Sequence, residues 1–194
     1  TLKCHEFFRF MFKVKFISRL NDMSPGWIDG DAESGRAMKA DIVNHDLKIA
    51  IEIKDDTKNR LNLPDRPGAF RIDHHDLTKL NERYGDQIRS ANRKFKADPA
   101  YRTILIFRTE FPIVDILRYS IEGLHTYSGS KEGLKYVGRV GKYSSYIRQN
   151  VGCFLVIEKE GHFIPNKDAL PLRVLNKSGV EDILGLTLHN VKVL

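Results

Sequence analysis

A strand–turn–strand pattern over residues 40–54 constrains the fold of this chain more than any other segment. The β-formers Ile42 and Val43 precede the turn formers Asn-His-Asp, after which an aliphatic strand returns. Because side chains alternate along a strand, Glu52 and Lys54 share one face of the returning strand. The pattern therefore predicts a β-hairpin that carries acidic and basic groups on otherwise aliphatic strands.

Three ionisable side chains of this hairpin have complementary chemistry. Asp41 and Glu52 are carboxylates that can meet across the hairpin, and Lys54 follows two residues after Glu52. Carboxylate oxygens are the ligands that Mg²⁺ takes in proteins. An ammonium group can steer an attacking water and offset the charge that develops on a phosphate. The set favours metal-assisted hydrolysis of a phosphodiester, and the alternative is an exposed hairpin with ordinary surface charges.

The spacing of these residues, with ten residues between the aspartate and the glutamate of Glu-x-Lys, resembles the motif of the PD-(D/E)XK nuclease superfamily. This group includes many restriction enzymes, Holliday-junction resolvases and repair nucleases. The resemblance covers roughly residues 36–108. It departs from the family pattern at Ala40, where the family motif has proline.

The resemblance implies a fold and a set of roles. We expect an α/β protein with a restriction-endonuclease-like core, in which helices flank a mixed central β-sheet. The core would span about residues 1–110 of a single domain (1–194), with a C-terminal α+β elaboration from about residue 111. By the same resemblance, Asp41, Glu52 and the Ile53 carbonyl would bind Mg²⁺ or Mn²⁺, and Lys54 would position or activate water.

A further acidic residue often comes from the first helix of this family. Glu6 is one candidate, in a segment whose spacing predicts a short helix that runs into a strand near residues 10–16. Glu33 is the other candidate, in the acidic loop at residues 29–35. For both side chains the alternative is an ordinary solvated charge.

Apolar residues at steps of three and four predict a helix over residues 77–97, followed by a buried strand near residues 101–107. The family often has a glutamine or a basic residue of this helix at its active site, which Gln87 matches, and Gln87 would then orient Lys54 or the phosphate. The alternative is a solubilising helix face. The basic candidates on this helix for contact with nucleic acid are Arg83, Arg89 and Arg93.

Residues 126–150 combine tyrosines and basic residues with one acid, Glu132. Such a mixture suits phosphate contacts and stacking on bases, and a tyrosine-rich packing segment is the alternative. The candidates for nucleic-acid binding here are Lys135, Tyr136, Arg139, Lys142 and Tyr143. A strand is predicted to follow over residues 151–158, with a turn at residues 160–161.

Composition points to the same class of partner. The net charge of +7 favours an acidic partner such as DNA, duplex or branched. No apolar run of about eighteen residues exists, so no membrane association is expected. Two cysteines form no metal or disulfide framework, which favours a cytoplasmic, intracellular location. A homodimer would suit two-strand cleavage. The alternatives are a catalytically inactive binding protein that kept the fold and a structural subunit of a larger complex.

Overall fold

The computed structural model describes the backbone of residues 4–32, 38–56, 74–109, 124–130, 133–140, 145–157 and 160–191, together with residues 114, 117, 118 and 121. Within these ranges the side chains of residues 4–10, 56, 74–81, 124–140 and 145 are outside the description. The predictions for Glu33, Lys142 and Tyr143 therefore fall outside the described residues. Glu6 lies within a described helix, but its side chain does not belong to the described part.

The described elements follow one another along the chain as three helices and nine strands, with two short 3₁₀ turns. They are α1 (Cys4–Met23), β1 (Trp27–Asp29), β2 (Ile42–Asn44), β3 (Ile49–Asp56), α2 (His74–Phe95), β4 (Arg102–Thr109), β5 (Leu124–Ser130), β6 (Gly133–Val140), a 3₁₀ turn (Ser145–Ile147), β7 (Cys153–Ile157), β8 (Gly161–Pro165), a 3₁₀ turn (Pro171–Arg173), α3 (Lys177–Leu184) and β9 (Leu188–Asn190). Residues 114, 117, 118 and 121 are also helical.

A seven-stranded mixed sheet organises these elements, in the order β1-β2-β3-β4-β7-β8-β9. The central strands β3, β4 and β7 run parallel to one another. β2 pairs antiparallel with β1 and β3, β7 pairs antiparallel with β8, and β9 is parallel to β8. The predicted α/β class, a mixed sheet flanked by helices, is confirmed. Three strands from the C-terminal part of the chain belong to the same sheet.

The predicted hairpin is present. β2 and β3 pair antiparallel, with Ile42 opposite Ile51. The side-chain oxygen of Asn44 accepts hydrogen bonds from the backbone N–H groups of Asp46 (3.1 Å) and Leu47 (2.9 Å), which stabilises the turn between the strands. Local turn chemistry and the aliphatic strand together set the register, as the sequence pattern indicated.

Two apolar layers cover the two faces of the sheet. On one face Tyr84, Ile88 and Phe95 of α2 pack with Ala50 of β3. On the other face residues of α1 and α3 pack against the isoleucines of β3. These residues are Phe16, Leu20, Val180, Leu184, Ile49, Ile51 and Ile53. Alternation along β3 therefore directs Glu52 and Lys54, like Ala50, towards the side of α2.

The strand predicted near residues 10–16 is wrong, because α1 continues as a helix to Met23. Phe12, Phe16 and Leu20 are spaced by four residues and pack together on the sheet. Val14, which the alternating pattern counted with the buried set, is 44% exposed. Phe12 and Phe16 fit both an alternating pattern and a helical pattern. The buried residues of α1 follow the helical pattern.

The remaining predicted elements are close to the observed ones. The predicted helix at 77–97 is α2, which begins three residues earlier, at His74. The predicted strands near 101–107 and 151–158 are β4 and β7, and β8 follows β7 after the predicted turn. The tyrosine-rich segment forms a separate two-stranded ribbon, β5–β6, which the sequence pattern did not predict.

Candidate functional site

Asp41 lies immediately before β2 and is almost completely buried. Because Ile42 pairs with Ile51, the next residues in register, Asp41 and Glu52, are neighbours across the hairpin. The backbone N–H of Ile53 donates a hydrogen bond of 2.7 Å to the Oδ2 atom of Asp41. This bond fixes the carboxylate of Asp41 against the backbone of β3.

Glu52 lies in the middle of β3 with 0% exposure. Its Oε1 atom accepts a hydrogen bond of 2.7 Å from the ammonium group of Lys54. The ammonium group of Lys94, on α2, lies 2.8 Å from Oε1 and 2.9 Å from Oε2. A buried carboxylate requires such compensation, since an unpaired charge in a protein interior is strongly unfavourable. The hairpin and α2 together therefore hold one carboxylate between two ammonium groups.

Lys13, on α1, adds a third lysine to this region. Its Nζ atom lies 2.5 Å from Oδ1 of Asp29 and 2.9 Å from Oδ2 of Asp31. Burial acts to lower the pKa of Lys13, but its hydrogen bonds with the two aspartates raise the pKa above its ordinary value. Lys13 is therefore charged and ties the end of β1 to α1.

Asp31 connects this group of residues to the hairpin. Burial acts to raise the pKa of Asp31, but the hydrogen bond and charge of Lys13, the charge of Lys94 and a hydrogen bond with Asp41 together lower it. Asp31 thus contacts Asp41 and lies within the field of Lys94. A hydrogen bond between two carboxyl groups requires a proton on one of them, and a nearby cation favours the ionised form of the other.

One flank of α2 faces these carboxylates. Lys94 follows Gln87 by seven residues, which is about two helical turns, so both lie on the same side of α2. The Oε1 atom of Gln87 is buried without a hydrogen-bond partner among the described residues. Arg83 is half-buried, one turn before Gln87. Gln87 therefore lies on the same flank as Lys94, and its assignment to the site stays a prediction.

The other basic candidates of α2 lie in solvent. Arg89 is exposed and forms an ion pair of 2.8 Å with Asp86 on the same helix. Arg93 is also exposed. Exposed charges of this kind cost little to maintain and remain accessible to a large anionic partner.

The oxygen donors at the hairpin belong to the class that hard cations take. Asp41 and Glu52 provide carboxylates, and the carbonyl of Ile53 lies between Glu52 and Lys54 along β3. Within the described ranges no group of three or more His, Cys, Asp or Glu side chains is arranged to hold a metal ion. Glu52 already binds the ammonium groups of Lys54 and Lys94, so a metal ion would compete with them for its oxygens. The donor set fits a cation such as Mg²⁺ better than Zn²⁺, which prefers nitrogen and sulfur ligands.

Three of the predicted nucleic-acid contacts, Lys135, Tyr136 and Arg139, lie on the β5–β6 ribbon. The backbone register sets Tyr127 opposite Tyr136, Ser128 opposite Lys135 and His125 opposite Arg139. The register shifts between Thr126 and Tyr127, which marks an irregularity in the ribbon. Three predicted nucleic-acid contacts thus share one strand, β6, outside the seven-stranded sheet.

Comparison of the chain with protein-family models, with curated proteins and with solved structures gives no match. The resemblance to PD-(D/E)XK nucleases therefore stays a prediction from the sequence motif. Among the described helices, none is both long enough and apolar enough to cross a membrane.

Three residues of the site were not predicted from the sequence: Lys13, Asp31 and Lys94. Asp31 lies in the same acidic loop as Glu33, and the composition of the loop does not distinguish between the two residues. Lys94 lies two turns after Gln87 on the same flank. Lys13 precedes Phe16 and Leu20 at helical spacing, and a lysine on an apolar stripe signals a buried charge that needs acidic partners.

Proposed function

We propose that the protein is a metal-dependent nuclease that hydrolyses phosphodiester bonds, acting as an endonuclease on DNA. The observation that carries this proposal is the pair of buried carboxylates, Asp41 and Glu52, adjacent across a hairpin with Lys54 bonded to Glu52. Burying two acids and a lysine is costly, and packed apolar residues of similar volume are often at least as stabilising. Clusters of buried ionisable groups are therefore more typical of a functional site than of a structural core.

The roles of the residues follow from their chemistry. The oxygens of Asp41, Glu52 and the Ile53 carbonyl would hold Mg²⁺ or Mn²⁺. When bound, the metal would polarise the phosphodiester and lower the pKa of a coordinated water. The ammonium group of Lys54 would donate a hydrogen bond to the attacking water or to a phosphate oxygen and offset the negative charge that develops there. Gln87 would orient Lys54 or the phosphate from the flank of α2.

Electrostatics supports a nucleic acid as the substrate. The chain has a net charge of +7, and α2 presents Arg89 and Arg93 to solvent. Lys135, Tyr136 and Arg139 on β6 add two cations and an aromatic ring to a ribbon of a width that can enter a DNA groove. We expect these residues to bind the backbone of duplex or branched DNA, with a homodimer where both strands are cut.

A second function, DNA binding without cleavage, is favoured by one observation. Lys54 and Lys94 together satisfy both oxygens of Glu52 without any metal. A site that is stable in this form could persist in a protein that lost the chemistry and kept the fold. Such a protein would serve as a binding or structural subunit, for which the acids would be internal partners of the lysines.

A cleavage assay separates the two functions. Supercoiled plasmid, a four-way junction, single-stranded DNA and RNA would each be incubated with Mg²⁺, with Mn²⁺ and with EDTA. We expect metal-dependent nicking of DNA that Asp41→Asn abolishes, while the exposed Asp46→Asn, in the turn of the same hairpin, retains it. The melting temperature of Asp41→Asn should stay near that of the wild type, because the amide oxygen can still accept the Ile53 N–H. Cleavage by Asp41→Asn at the full rate would contradict the assignment, and binding without cleavage in every metal would favour the second function.

A further inference from the structure

Of the two lysines that contact Glu52, Lys94 makes more contacts than Lys54. Its ammonium group lies within hydrogen-bonding distance of both carboxylate oxygens, at 2.8 and 2.9 Å, whereas the ammonium group of Lys54 contacts Oε1, at 2.7 Å. Lys94 comes from α2, so it reaches the carboxylate from a different element than the one that carries the motif. A bidentate contact of this kind is the arrangement in which a carboxylate holds a single cation.

We infer that Lys94 is an internal cation that a divalent metal displaces from Glu52. The inference rests on the proposed function, because it assumes that Glu52 is a metal ligand. In the metal-free protein the ammonium group compensates the buried carboxylate. When Mg²⁺ or Mn²⁺ binds, the ammonium group leaves the Glu52 oxygens, because two cations on the same oxygens repel each other.

The two lysines differ in how readily they can move. The side chain of Lys94 is 32% exposed and lies in the last turn of α2, so its flexible four-carbon stem has solvent to move into. The side chain of Lys54 is 15% exposed and comes from the same strand as Glu52. Lys54 thus stays beside Glu52 while Lys94 exchanges with the metal. A displaced Lys94 remains next to the site, where its charge is available to a phosphate.

Competition of this kind weakens metal binding. The free energy of the Lys94–Glu52 contact is lost when the metal binds, because the contact must break first. The apparent dissociation constant of the metal is therefore higher than it would be without Lys94. Removal of the competing charge in Lys94→Met should therefore tighten Mn²⁺ binding, by about tenfold if the contact is an ordinary charge-assisted hydrogen bond. Lys54 continues to compensate Glu52 in this variant, and Lys94→Gln, which retains a hydrogen-bond donor, provides a second variant if Lys94→Met folds poorly.

The test is a titration of the whole chain with Mn²⁺ alone, followed by electron paramagnetic resonance, and with Mg²⁺ alone, followed by calorimetry. The matched control is Lys96→Met, which removes the same charge from an exposed position two residues further on. Tighter binding in Lys94→Met and Lys94→Gln, with Lys96→Met like the wild type, supports displacement.

Equal affinity in the wild type and both Lys94 variants, or weaker binding in the variants, would overturn the inference while leaving a metal-dependent nuclease intact. An equal increase in metal affinity in Lys96→Met would also overturn the inference, because a general loss of positive charge would then explain the tighter binding. If neither metal binds the wild type or any variant, the proposed function fails along with the inference.

Discussion

The two buried carboxylates at the β2–β3 hairpin each have a partner of opposite charge or a backbone donor, and this pairing explains how the site is tolerated inside the protein. Glu52 is compensated by Lys54 and Lys94, and Asp41 accepts the Ile53 N–H. The pairing also assigns different consequences to different substitutions. Loss of one lysine leaves Glu52 with the other, whereas loss of Glu52 would leave two lysines without their shared anion.

Substitution of Lys54 tests its role at the level of a single residue. Lys54→Ala should slow DNA cleavage by roughly 100-fold or more, comparable to removal of one preorganised electrostatic donor, with little change in DNA affinity. The fold should persist because Lys94 still compensates Glu52. Single-turnover cleavage rates and DNA dissociation constants would be compared with those of Lys39→Ala, an exposed lysine just before the hairpin. Affinity that falls in step with the rate would identify Lys54 as a phosphate anchor only.

The sequence was sufficient to predict Asp41, Glu52 and Lys54 as neighbours because their proximity depends on one local hairpin. Alternation along β3 and the turn chemistry of Asn44 set that register without help from the rest of the chain. Lys13 and Asp31 come together through the packing of α1 against the end of β1, and Lys94 depends on how α2 crosses β3. Such contacts are set by tertiary packing, which the spacing of residues along the chain does not encode.

At the scale of elements, Arg173 fixes the end of α2 to the strand that follows. Its guanidinium group is buried and donates hydrogen bonds to the carbonyl oxygens of Phe95 (2.8 Å), Asp98 (2.6 Å) and Tyr101 (2.8 Å). These carbonyls lie at the end of α2 and in the connection to β4, where a helix leaves acceptors without intrahelical donors. Burial lowers the pKa of Arg173 below its ordinary value, but an arginine remains charged at neutral pH.

We therefore expect Arg173→Met to lower the free energy of unfolding by about 3 kcal/mol, because buried carbonyls would lose a charged donor. Urea denaturation would measure this loss, with the exposed Arg93→Met of α2 as the control. A midpoint equal to that of the wild type would show that water replaces the guanidinium group without cost.

Glu181 connects α3 to the edge strand β9. Its Oε1 atom accepts a hydrogen bond of 2.8 Å from the Leu188 N–H and lies 3.2 Å from the ammonium group of Lys177. The backbone hydrogen bond from Leu188 is the main cause of a pKa below the ordinary value of 4.5, assisted by Lys177. Because the pKa is lowered in the folded state, Glu181 stabilises the fold fully above its unfolded pKa, and this contribution is lost as the pH falls through the lowered folded pKa.

Glu181→Gln should accordingly be less stable than the wild type at pH 7 and should show a smaller loss of stability between pH 5 and pH 3. Thermal unfolding at a series of pH values would measure both effects, and hydrogen exchange at the Leu188 amide would show whether the edge of the sheet opens. The control is Asp182→Asn, which changes the next residue of α3. Parallel pH profiles for Glu181→Gln and the wild type would mean that the negative charge of Glu181 does not contribute to stability.

The elements themselves could be predicted to different degrees. α2 has a regular apolar stripe that includes Tyr84, Ile88 and Phe95, so its sequence pattern predicts a helix and no other element. α1 was ambiguous because its aromatic residues satisfy both a helical and an alternating pattern, and only packing against the sheet decides between them. β5 and β6 contain glycines and few aliphatic residues, so their pairing lacks the hydrophobic signal on which strand prediction depends.

For the whole molecule, the proposed function assigns catalysis to residues of the seven-stranded sheet and DNA binding to residues of the β5–β6 ribbon. The carboxylates lie on β3 and just before β2, within the sheet, and the predicted contacts Lys135, Tyr136 and Arg139 lie on the separate ribbon. Substitutions on the ribbon should therefore change DNA affinity without changing the metal site. Because of this separation, the role of Lys135, Tyr136 and Arg139 can be tested independently of the metal site.

The triple variant Lys135→Ala, Arg139→Ala, Lys142→Ala should bind DNA more weakly, and its affinity should depend less steeply on salt. Each phosphate contact releases about one counterion, so each lost contact lowers the slope of log affinity against log salt by about one unit. Mn²⁺ binding should equal that of the wild type, and the residual cleavage at saturating enzyme should keep its metal dependence. A matched variant, Arg89→Ala, Arg93→Ala, Lys96→Ala, instead removes three exposed cations from α2 and the turn that follows it. If the first triple variant keeps the wild-type slope and the second flattens it, DNA lies along α2, and Lys135, Arg139 and Lys142 have another role.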